Sequence, residues 1–287
     1  MKISVLIHTL NEEKNIKSCL ESVKWADEII VVDMYSDDNT VDIARNYTDK
    51  IFLYERMGYA DPARQFALEK ASGEWVLAVD ADEIVPLKLR NKLYEIMEKD
   101  MGDVIYVPHN NYFIGKQIFN MGWGPLGDLH PRFFKKKFVN FGDEIHEFFK
   151  ISENARSYSI DDPEAGFLHF SYIDFEHYIE KALNGYTSIE ARNVFNGKKP
   201  RDELGNSVPK ILFTLFRGFF DSYVRDKGYK DGFRGFCIAM LSNIYRLVVY
   251  MKIKLMEEYD SDNPRKEILE EYEDIKRNIL LEYENEK

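Results

Sequence analysis

The chain is short of cysteine, of long apolar runs and of positive charge. Its 287 residues hold two cysteines, Cys19 and Cys237, far apart and outside any motif. A disulfide framework is thereby excluded, and a reducing compartment is expected. No stretch of about 18 uncharged apolar residues occurs, which argues against a membrane-spanning helix. The apolar run at 3–7 is too short for a signal-peptide core and no small-residue cleavage site follows it, so a cytoplasmic chain is expected. Bases are outnumbered, 39 Lys+Arg against 50 Asp+Glu, for a formal charge of −11. A nucleic-acid surface needs a dominant positive field, so nucleic acid is not expected as a partner. What is present is ordinary for a soluble globular protein: 45% hydrophobic and 31% charged residues. Aromatics reach 14%, a supply for core, carbohydrate or interfacial contacts. At roughly 150 residues per domain, the length suggests about two domains or one elaborated domain.

The first hundred residues alternate short apolar runs with helical patterns. Strands are expected at 3–7, 28–33, 50–54, 75–80 and 104–107. Helices are expected from Asn11, with Ile16, Leu20 and Val23 on one face, from Thr40 as its cap, over 62–71 and over 87–99. Strands alternating with helices of about 10–15 residues imply an α/β fold, a mostly parallel sheet covered on both faces. Ligands bind such sheets beyond the carboxyl ends of the strands, where Thr9, Asn11, Asp33, Asp80 and Asp82 fall. From 108 to 170 glycines, aromatics and short alternating runs suggest hairpins or added strands, and 174–195 reads as helical. The domain expectation is 1–200 for the α/β body, 201–256 for a basic, aromatic helical extension and 257–287 for an acidic amphipathic helix.

The sharpest chemical signal is Asp80-Ala81-Asp82-Glu83 at the tip of a buried strand. Asp260-Ser261-Asp262 has the same acid spacing but follows no strand. Carboxylates crowded at a strand tip repel, and a hard divalent cation, Mg²⁺ or Mn²⁺, relieves that repulsion while taking phosphate oxygens as further ligands. The competing reading is a solvated turn whose acids cap the helix after Pro86. Asp33, followed by Ser36, Asp38 and Thr40, can accept hydrogen bonds from a ribose or base, or belong to a helix cap. Asn11 and Glu12 are at once a helix start and candidate ligand contacts. His169, in the apolar run 166–170, reads by itself as a core histidine or a ligand.

The ordered segments VLIHTLNEEKNI, DEIIVVDMYSDDNT and ASGEWVLAVDADE resemble the nucleotide-binding half of a family 2 glycosyltransferase of the GT-A fold. RFFKKKFVNFGDEIHE, GFLHFSY and KGYKDGFRGF resemble the subgroup of bacterial lipopolysaccharide-core β-glucosyltransferases, and the likeness runs from Lys2 to about Met256. It implies a nucleotide-sugar donor at the sheet edge, with Asp33 on the uridine or its ribose and Arg64 nearby. Asp82 would ligate the metal, with Asp80 and Ala81 alongside, and His169 would complete the metal or diphosphate site. Trp123 and Arg132 would line the acceptor or diphosphate side. Two positions depart from the pattern: Met34 stands where relatives often have a second Asp, and Leu10 where an aromatic often stacks on uracil.

Inverting transfer needs a general base on the face opposite the leaving diphosphate. The candidates are Asp143, Glu144 and Glu147; the subgroup favours Glu147, with His146 beside it. Residues 208–256 hold nine Lys/Arg against three Asp/Glu, a net +6, with ten Phe/Tyr. Such helices can lie on an anionic membrane surface or simply pack on the body. In the acidic tail Ile268, Tyr272, Ile275 and Ile279 recur at helical spacing. The expectation is an inverting, metal-dependent enzyme moving a hexose from a nucleotide sugar, UDP-sugar favoured, to a glycan or lipid-linked acceptor at the inner face of the cell membrane. A sugar nucleotidyltransferase is the alternative enzyme, although His8-Thr9-Leu10-Asn11 lacks its glycine-rich loop. A catalytically silent glycan- or membrane-binding module is the non-enzymatic one.

Overall fold

A computed structural model describes residues 2–56, 61–141, 150–201, 204 and 207–285. In chain order it contains β1 (Ile3–Thr9), α1 (Ile16–Val23), β2 (Glu28–Asp33), α2 (Thr40–Ala44), β3 (Ile51–Leu53), α3 (Asp61–Lys70) and β4 (Trp75–Asp80). There follow β5 (Glu83–Ile84), α4 (Leu87–Glu98), β6 (Val104–Phe113), β7 (Lys116–Gln117), β8 (Leu129–Lys135), β9 (Val139–Asn140), β10 (Lys150–Ile151), β11 (Ser157–Ser159) and β12 (Phe167–Tyr172). The helices α5 (Phe175–Tyr178), α6 (Thr187–Phe195), α7 (Val208–Phe220), α8 (Gly232–Tyr259) and α9 (Arg265–Asn285) complete the described chain.

The main sheet runs β3-β2-β1-β4-β8-β6-β12-β5, with β7 and β11 also paired to β6. β3, β2, β1 and β4 are mutually parallel. β8 lies antiparallel between β4 and β6, and β12 returns parallel to β6. The continuous apolar runs of β1 and β4 are explained by burial on both faces. Ile3, Val5, Ile7, Trp75, Leu77 and Val79 pack with Leu20 of α1 and Leu89 and Leu93 of α4. On the other face Leu6, Ile30, Val32 and Val76 meet Ala63 and Ala67 of α3. Each fully buried aliphatic side chain contributes about 1.5–3 kcal/mol. This is the mostly parallel, two-faced α/β sheet expected from the sequence.

Four local readings are corrected. α1 begins at Ile16, because Asn11 takes φ 57° and a turn closes first, the Asn15 and Ile16 amides both donating to the Glu12 carbonyl. Thr40 does not cap α2; the Asp38 carboxylate accepts its amide at 3.0 Å. The acids of 80–83 do not cap α4, whose N-cap is Pro86 with no side-chain bond. β6 continues to Phe113, through His109, Asn110 and Asn111, and turns back into β7 through Ile114 and Gly115 at positive φ.

The chain divides into two compact units, Met1–Tyr178 with Arg217–Met240, and Ile179–Phe216 with Leu241–Lys287. In the first, Asp231 accepts the Phe119 and Asn120 amides and Arg234 Nε donates to the Ile114 carbonyl. In the second, Ala191 packs with Val249, Ile253 and Met256, and Lys252 Nζ donates to Thr187 and Ser188 at 2.7 Å each. The helical stretch Gly228–Tyr259 is long and apolar enough by length and composition to cross a membrane, and about a third of its most apolar part is buried. The charge-interrupted sequence had pointed to none.

Candidate active site

The chain leaves β1 for β2 on one side and reaches β4 on the other, so the strand order reverses at β1. At such a point the crevice beyond the carboxyl ends is the usual ligand address. Register places Thr9 beside Asp33 and His8 beside Asp80. Asp33 folds the next turn, its two oxygens accepting the Ser36 amide at 2.9 Å and the Ser36 hydroxyl at 2.6 Å. Asn11 Oδ1 accepts the Asp37 amide at 2.8 Å, and the Glu12 amide donates to Thr40 Oγ1 at 2.8 Å. Both loops are thus shaped by each other before any ligand binds.

Side chains alternate along β4, so Val76, Ala78 and Asp80 share the face covered by α3, and Arg64 on that helix reaches them. β8 runs back beside β4 and carries Arg132 to the same place. Arg132 Nη2 donates to Asp80 Oδ2 at 2.6 Å and Glu83 Oε1 at 3.1 Å, while Arg64 Nη2 lies 3.4 Å from Asp80 Oδ1. Glu83, fully buried, accepts the Asp80 amide at 2.8 Å and so closes the 80–83 turn on itself. Burial alone pushes the Asp80 carboxyl up, but Arg132 and Arg64 outweigh it and hold it well below the usual range. Burial, with Arg64 beside it, lowers His8 to about 3, leaving a neutral imidazole.

Asp82 lies differently. The short antiparallel pairing of β5 with β12 sets Glu83 opposite His169, and the Phe170 amide donates to the Asp82 carbonyl at 3.1 Å. His169 Nε2 stands 3.7 Å from Asp82 Oδ2, with both side chains partly exposed. Burial lowers the His169 pKa, but Asp82, then Glu83 and Asp80, overcome it and raise the group. Its other nitrogen, Nδ1, is 2.6 Å from Asn111 Oδ1. A carboxylate oxygen suits Mg²⁺ and Mn²⁺, and an imidazole nitrogen is compatible with Mn²⁺ and later metals, so the Asp82–His169 pair fits a divalent cation.

Four buried polar atoms at this edge have no hydrogen-bond partner among the described residues: His8 Nε2, Thr9 Oγ1, Arg132 Nη1 and His109 Nε2, the last 3.2 Å from Glu83 Oε1. Each such group costs about 1–3 kcal/mol, which a ligand bonding to it would recover. Beside them His109, Asp128 and His130 hold ligand-type atoms within 4.8 Å of one another. Asp128 and His130 already bond within the protein: Asp128 Oδ1 to His130 Nε2 at 2.7 Å, Asp128 Oδ2 to the Asn111 amide at 2.7 Å.

Of the residues singled out in the sequence, Thr9, Asn11, Glu12, Asp33, Arg64, Asp80, Ala81, Asp82, Arg132 and His169 sit at or beside this edge. Arg132 is bonded to the acids of the 80–83 turn. Trp123 is half-buried, its ring 5.9 Å from Phe113 and 6.2 Å from Tyr172. Asp143, Glu144, His146 and Glu147 lie outside the described residues. Sequence reasoning gave no role to His8, Asn111 or Asp128, and placed Glu83 among the crowded acids without its partner Arg132. The signal for Asn111 was available: three polar residues, 109–111, interrupt an otherwise apolar strand.

The family profile described as glycosyl transferase family 2 matches residues 4–155. The lipopolysaccharide core biosynthesis glycosyltransferase LpsC of Rhizobium meliloti (strain 1021) is 30% identical, over 88% of this chain and 92% of its own. An uncharacterised glycosyltransferase of Rickettsia bellii (strain RML369-C) is 28% identical over 88% of this chain and 86% of its own. Among solved structures, S. aureus TarS 1-349 in complex with UDP-GlcNAc covers 92% of this chain and 90% of its own, at 21% identity and a TM-score of 0.47. A sheet reversed at β1, with an acidic turn at its carboxyl edge, joins the profile match and the near full-length LpsC likeness in one conclusion: this chain belongs to glycosyl transferase family 2 and is a glycosyltransferase.

Proposed function

We propose that the protein is an inverting, divalent-cation-dependent hexosyltransferase that uses a UDP-sugar and glycosylates a glycan or lipid-linked acceptor of the cell envelope. The observation that carries the donor reading is the set of unpartnered buried atoms, His8 Nε2, Thr9 Oγ1 and Arg132 Nη1, facing the same edge as Asp33 and Asp82. Thr9 and Arg132 can donate to the oxygens of a nucleoside diphosphate, and Asp33 can accept from a ribose or base. Asp82 and His169 are the residues that would hold the cation, which when bound supplies charge neutralisation to the leaving diphosphate. Asp80, locked by Arg132, and Glu83 would fix the turn on which Asp82 sits.

In a single displacement the acceptor oxygen forms its bond to sugar C1 as the bond from C1 to the diphosphate oxygen breaks, inverting an α-linked donor to a β-linked product. The acceptor hydroxyl proton would pass to a carboxylate, with Glu147 favoured over Asp143 and Glu144. An envelope acceptor is supported by the name of the LpsC relative. A membrane-facing position is supported by α7, where Val208, Leu212, Phe213 and Phe216 are each more than 60% exposed beside exposed Lys210 and Arg217.

A thermal-shift series of nucleotide sugars with Mg²⁺ or Mn²⁺, followed by transfer assays, tests this reading. A UDP-sugar is expected to raise Tm in the presence of the cation, and the shift should disappear in Asp82→Ala. No shift with any donor and cation would overturn it. Glu147→Gln should bind donor normally and lose transfer; retained transfer would move the base to Asp143 or Glu144.

A further inference from the structure

We propose that Asn111 is a positioning residue that selects the tautomer of His169, accepting its Nδ1–H so that Nε2 presents a lone pair toward Asp82. This inference rests on the cation reading above for its purpose, though not for its geometry. Asn111 and His169 are register partners across β6 and β12, and Asn111 Oδ1 lies 2.6 Å from His169 Nδ1. Which end of an amide faces a histidine is decided by what the other end meets. Here the other end, Nδ2, donates to Asp128 Oδ2 at 2.7 Å and to the Trp123 carbonyl at 3.0 Å. Both partners are acceptors, so turning the amide over would set an oxygen against two oxygens.

Asp128 is itself held. Burial raises its carboxyl, but His130 and Asn111 outweigh burial and bring it to about 2, so it stays an acceptor at neutral pH. The Asn111 oxygen is therefore obliged to face His169, and an oxygen opposite Nδ1 requires that nitrogen to carry the hydrogen. Ser171 Oγ, 3.2 Å from the same nitrogen, can accept as well and does not oppose this. A neutral imidazole protonated at Nδ1 has its lone pair at Nε2, the form in which histidine binds metals. The chain His130–Asp128–Asn111–His169 so runs from the β8 edge to the acidic turn.

The first test needs no metal. Long-range ¹H–¹⁵N spectra of the cation-free protein, above the pH at which His169 is protonated, should show the Nδ1–H tautomer in wild type. Asn111→Leu, close in shape but without an acceptor, should move His169 toward the Nε2–H form. The second test reads Mn²⁺ affinity with UDP present, by loss of the free-ion EPR signal. Asn111→Leu should weaken binding about 10–100-fold. The double variant with His169→Ala should be no weaker than His169→Ala alone. An unchanged tautomer, or losses that add in the double variant, overturns the proposal. If Asp82→Ala and His169→Ala both bind Mn²⁺ like wild type, the cation reading has failed, and the tautomer spectrum still decides this one. Should Asn111→Leu not fold, Asp128→Leu frees the amide to turn and is expected to change the tautomer in the same direction.

Discussion

The two ends of the central sheet treat buried polar groups in opposite ways. At the amino end Glu28 accepts from Lys50 and from the hydroxyls of Ser4 and Ser72, and also takes the Ser72 amide at 2.8 Å. Ser4 Oγ in turn accepts the Gly73 amide, and a Cβ on Gly73 would lie 2.7 Å from that oxygen, so the corner admits no larger residue. Asp103 there takes Arg156 Nε at 2.9 Å and Lys135 Nζ at 2.7 Å. At the carboxyl end Thr9, His8 and Arg132 each leave a buried polar atom unpartnered among the described residues, and Asp82 stands 3.7 Å from His169. The acids of the amino end close their own hydrogen bonds, although Trp75 Nε1 is unpartnered there among the described residues, whereas His8, Thr9 and Arg132 at the carboxyl end leave polar atoms open to bond a ligand.

Asp82→Ala probes the open end most severely. Transfer should fall about 10³-fold, roughly 4 kcal/mol of transition-state stabilisation, with the Tm of the free protein nearly unchanged. A collapse in Tm would make Asp82 a structural acid and break the contrast. Glu28→Ala is the counterpart. It removes the acceptor of two serine hydroxyls and of the exposed Lys50 and should cost about 2–3 kcal/mol in urea unfolding, with nucleotide affinity of the folded fraction intact.

The pH dependence follows from the same corner. Burial raises the Glu28 carboxyl, but its partners outweigh burial and hold it at about 2, below its ordinary 4.5. A depressed folded-state pKa gives stability that is present above the unfolded value and lost as pH falls through the folded one. The wild type should therefore exceed Glu28→Gln by about 3 kcal/mol above pH about 4.5, the gap closing toward pH 2 in urea titrations. A gap independent of pH would assign the stabilisation to packing. The smallest effect discriminates most finely. Thr9→Val removes an unpartnered hydroxyl and should leave the free protein equally stable or about 1 kcal/mol more so, while donor affinity drops about fivefold. Loss of stability in calorimetry, with unchanged affinity, would place Thr9 with the satisfied end.

Legibility followed locality. β1, β2 and β4 could be read because burial on both faces writes unbroken apolar runs, and Asp33, Asp80 and Asp82 stood out because each ends or follows such a run. Glu83 and Arg132 were named without their partnership, since only the antiparallel insertion of β8 beside β4 brings them together. Asn111 and His169 meet through a parallel pairing between distant strands, which no local periodicity announces. The start of α1 was misplaced because Asn11 bonds outward to the Asp37 amide instead of entering a helix. α9 was visible as a pattern at 268–279, and there Leu269, Tyr272, Ile275 and Ile279 remain 49–55% exposed.

The ladder between β5 and β12 is only two residue pairs long, Leu168 with Ile84 and His169 with Glu83, yet it closes a loop that contains β6 through β11. Closing a longer loop adds little entropy cost, about 0.6 kcal/mol per doubling, so the weak point is the brevity of the clasp. Unzipping it would part the acidic turn from His169, which β12 keeps beside β6, while β1, β2 and β4 stay folded, a sub-global opening. The clasp between the acidic turn and β12 is therefore the part of the edge that hydrogen exchange should find opening first, ahead of the strands that carry Thr9, Asp33 and Asp80.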